Sequence, residues 1–173
     1  MDIFVQFSDQ TETTVISVFG CAQDATQYPN QGVIPYTDAR YIAFVSPELT
    51  LPGARAARID YINQACSAQI MSGFQSSALG AVYTYPSNMI DQNNMNVNVT
   101  SSLFPNLPPT WTTEQMCCDS NGIWAYRLHT AAQIQQAGDD GKAAILPLLM
   151  KVKDLRTQIE AATTVAEVNA IVW

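Results

Sequence analysis

The stretch from Ile145 to Ala162 constrains the fold more than any other part of the chain. Ile145, Leu148, Val152, Leu155, Ile159 and Ala162 follow one another in alternating steps of three and four residues. That spacing keeps them on one side of an α-helix for more than two heptads, and Leu149 widens the stripe. Such a stripe packs against another helix, in the same chain or in a partner. Ile145, Leu149, Val152, Leu155 and Ile159 are therefore the candidate partner-binding residues. Upstream, Thr130-Ala-Ala-Gln133 forms a capping box and starts a helix near residue 131. Gly138 and Gly141 weaken that helix, and Pro147 is expected to kink it or mark a fresh start. Thr164-Val-Ala-Glu167 is a second capping box. It opens a short final helix with Val168 and Ile171, and Trp173 as the last residue suggests a docked C-terminus.

The first 20 residues read as a hairpin. Ile3, Val5 and Phe7 alternate with their neighbours, and so do Val15, Ser17 and Phe19. Residues 28–40, with two prolines and a glycine, read as a loop, and Tyr41–Val45 as a third strand. From Ala54 to Phe74 the period changes: Ile59, Ile62, Cys66, Ile70 and Phe74 share one helical face, and Gly73 marks the end. Residues 74–86 read as a loop leading to a short strand near 81–85. The Asn-rich segment after it is taken as helix, with Ser87 as N-cap, Asp91 in the first turn, and Ile90, Val97 and Phe104 at seven-residue spacing. Asn121-Gly122 sets a hairpin across 111–127. The expected class is α+β: a small antiparallel β unit over 1–50, then a helix-rich part over 51–173 with that hairpin and a long C-terminal helical segment.

Composition narrows the partners. The chain has 173 residues, only 8 Lys and Arg, and a net charge of −7. An acidic chain without basic clusters argues against nucleic acid and anionic membrane. No apolar run approaches the roughly 18 residues of a membrane span. The opening MDIFVQFSDQ lacks a basic region followed by an apolar one, so no secretory signal is read and a cytoplasmic location is expected. Cys21, Cys66, Cys117 and Cys118 have no CxxC spacing, and free thiols, mostly buried, are expected.

Chemistry-bearing residues are sparse. His129, in NGIWAYRLHTAAQIQQ, is the sole histidine, and no GxSxG, HExxH, P-loop or dinucleotide fingerprint is present. Lying just before the N-cap Thr130, His129 reads as a structural loop residue. Asp139 and Asp140 are neighbours that do not face one point on a helix, so helix capping is their expected role. DDGK lacks the ligand pattern of a calcium loop. No catalytic, cofactor or metal residue is assigned. The aromatic residues of YTYP and WAYR read as core fillers or, alternatively, as a sugar-stacking tip.

Three long stretches carry a resemblance. They are residues 62–94, INQACSAQIMSGFQSSALGAVYTYPSNMIDQNN; residues 111–145, WTTEQMCCDSNGIWAYRLHTAAQIQQAGDDGKAAI; and residues 158–173, QIEAATTVAEVNAIVW. They are similar to a domain of unknown function found in phage tail and tail-fibre-assembly proteins. The segments FVQFSD and TTVISVFGCAQDATQYPNQG, with TDARYIAF after them, resemble the openings of small proteins encoded beside tail-fibre genes of tailed bacteriophages. The resemblance implies no catalytic residue and no cofactor. It implies a tail-fibre protein, trimeric in kind, or another tail subunit as partner. The expected role is an assembly chaperone for the distal fibre, acting in the host cytoplasm. The alternative is a permanent virion subunit of fibre or baseplate, with a receptor- or glycan-binding tip. The open edges of the N-terminal hairpin offer β-augmentation to a fibre strand.

Overall fold

The computed structural model describes all 173 residues. The fold is α+β, with two small antiparallel sheets and a long C-terminal helix. The chain divides into two compact units: Met1–Tyr61 with Arg156–Val172, and Ile62–Leu155 with Trp173.

The first unit carries β1 (Asp2–Phe7), β2 (Val15–Phe19) and β3 (Gln31–Pro35), in the order β2-β1-β3. Period-2 alternation in β1 turns Ile3, Val5 and Phe7 inward, where they meet Val15 and Ile34. The expected third strand at Tyr41–Val45 is instead helix α1 (Ala39–Val45), and β3 lies in the segment read as a loop. Two interactions favour this arrangement, one local and one between distant segments. The Asp38 carboxylate accepts from the Arg40 backbone N–H at 2.8 Å, capping α1. Gly32 lets β3 lie against β1, because a Cβ there would stand 2.7 Å from the Phe7 ring. Pro29 lies before the strand and Pro35 is its last residue, so neither interrupts its middle. A 3-10 turn, Pro47–Leu49, leads into α2 (Leu51–Met71). Arg55 and Arg58 donate to the carbonyls of Ala162 (2.6 Å) and Asn169 (3.0 Å). Between those carbonyls, the Thr164–Glu167 capping box opens the last helix, α5 (Val165–Ala170).

The second unit begins within α2. Gly73, with φ +96°, follows that helix in the left-handed conformation that glycine tolerates. Its sheet runs β4 (Phe74–Ser76), β5 (Tyr83–Tyr85), β6 (Thr112–Cys118) and β7 (Trp124–Thr130), in that order and antiparallel throughout. β4 occupies residues expected to be loop. The helix expected after residue 87 is α3 (Met89–Ser101), but its N-cap is Asn88 rather than Ser87. The Asn88 side chain accepts from the backbones of Ile90 and Asp91, and the Asp91 carboxylate accepts from the Asn88 N–H. The packed face of α3 also differs from expectation. Met95 is buried and Val99 half-buried, whereas Ile90 and Val97 are exposed and Phe104 lies beyond the helix.

The β6–β7 hairpin forms, with strands reaching Thr112 and Thr130. Its turn is closed by the Asp119 N–H to Ile123 carbonyl bond, and Gly122 sits at φ +80°. After Thr130, whose capping box with Gln133 is formed, α4 runs unbroken from Ala131 to Ala161. Pro147 lies inside it and does not start a new helix. The missing donor would have served the carbonyl of Ala143, an exposed residue that water reaches. The core of this unit is Phe74, Tyr85, Met95, Cys117, Ile134 and Ala137, with Phe74 and Tyr85 stacked at 5.4 Å. Gly138 and Gly141 are contact points. A Cβ on Gly138 would stand 2.7 Å from Val99, and one on Gly141 would stand 2.9 Å from the Phe74 ring.

Candidate functional site

α3 and α4 leave a groove of about 540 Å³ between them. Phe74, Pro86, Met95 and Val99 line it together with Ile145, Leu146 and Leu149 of α4, and its polar members are Ser87, Gln92, Asn96, Asp139 and Lys142. A second depression of about 380 Å³ continues from the shared Gln92 and Leu149 to Cys66, Ile70, Met71, Met89 and Val152. The surface is apolar because α4 presents one continuous stripe. The small residues Gly138 and Gly141 seat that helix close to Val99 and Phe74. Met71, Met89, Leu146 and Leu149 all remain exposed, and flexible thioethers adapt readily to a partner's shape. The Ser87 hydroxyl, on a residue lining the groove, is buried and has no hydrogen-bond partner in the chain. Burial pushes the Cys66 thiol up, so it stays protonated at neutral pH.

The structure splits the five candidate partner-binding residues. Ile145, Leu149 and Val152 line the grooves, whereas Leu155 and Ile159 are buried. Met71 and Met89 join the site without having been singled out, and Ser87 joins it from its reading as an N-cap. Met71 is not among the residues whose spacing marks the apolar face of its helix. The run Met89-Ile90 was the available signal, two large apolar residues at a helix start.

His129 does not lie in a loop. It is the penultimate residue of β7 and is fully buried. Its Nδ1–H donates to the Arg127 carbonyl at 2.8 Å, since a carbonyl can only accept. Nε2 therefore accepts from the Tyr85 hydroxyl at 2.7 Å. Burial holds the imidazole below its ordinary 6.5 and raises the phenol. Cys117 faces the same core, and burial raises its thiol as well. Neutral His, neutral Tyr and protonated Cys form a knot that ties β5 to β7. Asp139 and Asp140 lie inside α4 rather than at a helix end, and the Asp140 carboxylate accepts from the Ser76 hydroxyl at 2.6 Å. Of the four free thiols, Cys21 is exposed and the other three are buried. Trp124 and Tyr126, expected to fill a core, stand on the open face of β7 instead. No helix is long and apolar enough to cross a membrane.

These features define an α+β unit with an exposed apolar groove. The chain belongs to the family described as "Domain of unknown function (DUF4376)", whose pattern matches residues 53–172. Both grooves lie within the matched residues, and the three-stranded sheet lies before them. No curated protein and no solved structure matches the chain.

Proposed function

We propose that this chain is a non-enzymatic bacteriophage tail protein that holds an apolar segment of a tail-fibre protein in the α3–α4 groove while the fibre assembles. The observation that carries the reading is the uncovered half of the α4 stripe. Ile145, Leu146 and Leu149 line a groove of about 540 Å³ that no part of the chain fills. Fully burying an exposed side chain of this kind contributes about 1.5–3 kcal/mol, and these three, already about half covered, would gain part of that. The sequence resemblance to tail-fibre-associated proteins supplies the partner class. The low charge of the chain, 13% Asp, Glu, Lys and Arg, suits a broad contact with few ions to desolvate. The site of action is the host cytoplasm.

Co-expression with the neighbouring fibre protein tests this. Soluble fibre yield should rise with the wild-type chain and fall back with Leu149→Lys, and equal yields with and without the chain would sink the reading. A second reading, a permanent virion subunit, is favoured by exposed Trp124 and Tyr126, which suit a glycan-binding tip. Mass spectrometry of purified particles separates the two. A stoichiometric signal supports the virion subunit, and its absence supports the chaperone.

A further inference from the structure

We infer that β7 is a self-pairing edge, through which two copies of this chain join their four-stranded sheets into one. β7 is the last strand of its sheet and pairs only with β6. Its register is unbroken from Thr112↔Thr130 to Cys118↔Trp124. The direction of its backbone groups follows from bonds already described. The Glu114 carbonyl accepts from Asn98, and Cys118 pairs with Thr84 of β5. These two residues therefore point away from β7. Asp119 and Ile123 close the hairpin by a backbone bond, and the Thr130 N–H is bound by the Gln133 side chain. By alternation, Ala125, Arg127 and His129 face β6, whereas Trp124, Tyr126 and Leu128 direct their N–H and C=O groups to the free edge.

Exposed edges are normally blunted by charge, proline or a bulge. β7 has no proline and no bulge, and its one charged residue is turned away. Arg127 is paired with Asp119 at 2.9 Å and lies over the Tyr83 ring at 5.0 Å. The three edge residues are apolar or aromatic and stand 50%, 63% and 62% exposed. The order Trp124, Tyr126, Leu128 is self-complementary in an antiparallel register centred on Tyr126. Tyr126 faces its own copy, and Trp124 faces Leu128 on each side. Each of these pairs exchanges both backbone bonds and makes an apolar cross-strand contact. The same register sets Arg127 opposite the small Ala125.

Light scattering after size exclusion, over a range of loading concentrations, tests this. The mass should rise from 18.9 kDa towards twice that value as concentration increases. Tyr126→Pro removes an N–H that faces the free edge and serves no bond to β6. Leu128→Lys puts a charge on the edge at an exposed site. Each should raise the dissociation constant about tenfold or more while circular dichroism stays unchanged. The amides of Trp124, Tyr126 and Leu128 should exchange more slowly as the dimer forms. Leu149→Lys, in the groove, should dimerise like the wild type. A chain that stays monomeric up to its solubility limit would overturn the inference. So would a dimer that survives Leu128→Lys, or one lost only in Leu149→Lys.

Discussion

The two ends of the α4 stripe have the same residue types and the same spacing, yet different fates. Leu155, Ile159 and Ala162 are buried. Ile145 and Val152 are half-buried, and Leu149 stands 47% exposed. Periodicity therefore reports which side of a helix is apolar, and nothing about what covers that side. Covering depends on segments distant in sequence. The chain supplies them for one end of the stripe and leaves the other as the wall of a groove.

Truncation should expose this difference most strongly. Ile159→Ala, at a fully buried position, should cost about 2–5 kcal/mol in denaturant unfolding, and Leu149→Ala less than about 1 kcal/mol. Equal losses would mean that the open end is covered after all. His129→Ala should cost about 2–4 kcal/mol, because it leaves a cavity and strands the buried Tyr85 hydroxyl. His129→Gln should recover part of that loss, because its amide can still pair with the Tyr85 hydroxyl. Gly141→Ala sharpens the point beneath the groove. Helix propensity alone favours alanine by about 1 kcal/mol. The new methyl would press on the Phe74 ring, so a net loss of about 1–2 kcal/mol is expected from the thermal midpoint.

The pH dependence completes the series with the smallest effects. Burial lowers the His129 pKa, so just below 6.5 the unfolded chain binds a proton that the native chain does not. Stability should therefore fall as pH drops below 6.5, and His129→Gln should flatten that fall. Asp38 acts lower on the scale. Hydrogen bonds from the Arg40 guanidinium and backbone N–H hold its carboxyl at about 2, against an ordinary 3.8. Its contribution is complete above 3.8 and lost as pH falls through about 2, so Asp38→Asn should remove a dependence confined to strongly acid solution.

Local chemistry was legible in the sequence wherever a single segment carried it. The capping boxes at Thr130 and Thr164 join residues three apart, and both form. The hairpin turn at Gly122 and the helix end at Gly73 need a conformation that glycine tolerates, and both occur there. The Trp173 side chain is docked as expected: its indole N–H donates to Gln69 at 3.0 Å, and Lys151 lies 4.4 Å from the ring centre. The α+β class followed from the changes of hydrophobic period along the chain. The reversal of strand and helix between 31 and 45 was hidden because the pairing partner of β3, the strand β1, lies some 30 residues earlier. The apolar, β-branched content of Tyr41–Val45 suits either element, and only the Asp38 cap decided it.

What the sequence determined alone is the set of apolar faces, because side-chain period and capping chemistry are properties of neighbouring residues. What the tertiary structure decided is which faces are shared. It buried His129 against Tyr85, turned Gly138 and Gly141 from helix weaknesses into seats for α4, and left Leu149 and Trp124 in the open. These outcomes depend on close packing between segments far apart in the chain, where a contact of 3 Å or so either exists or does not.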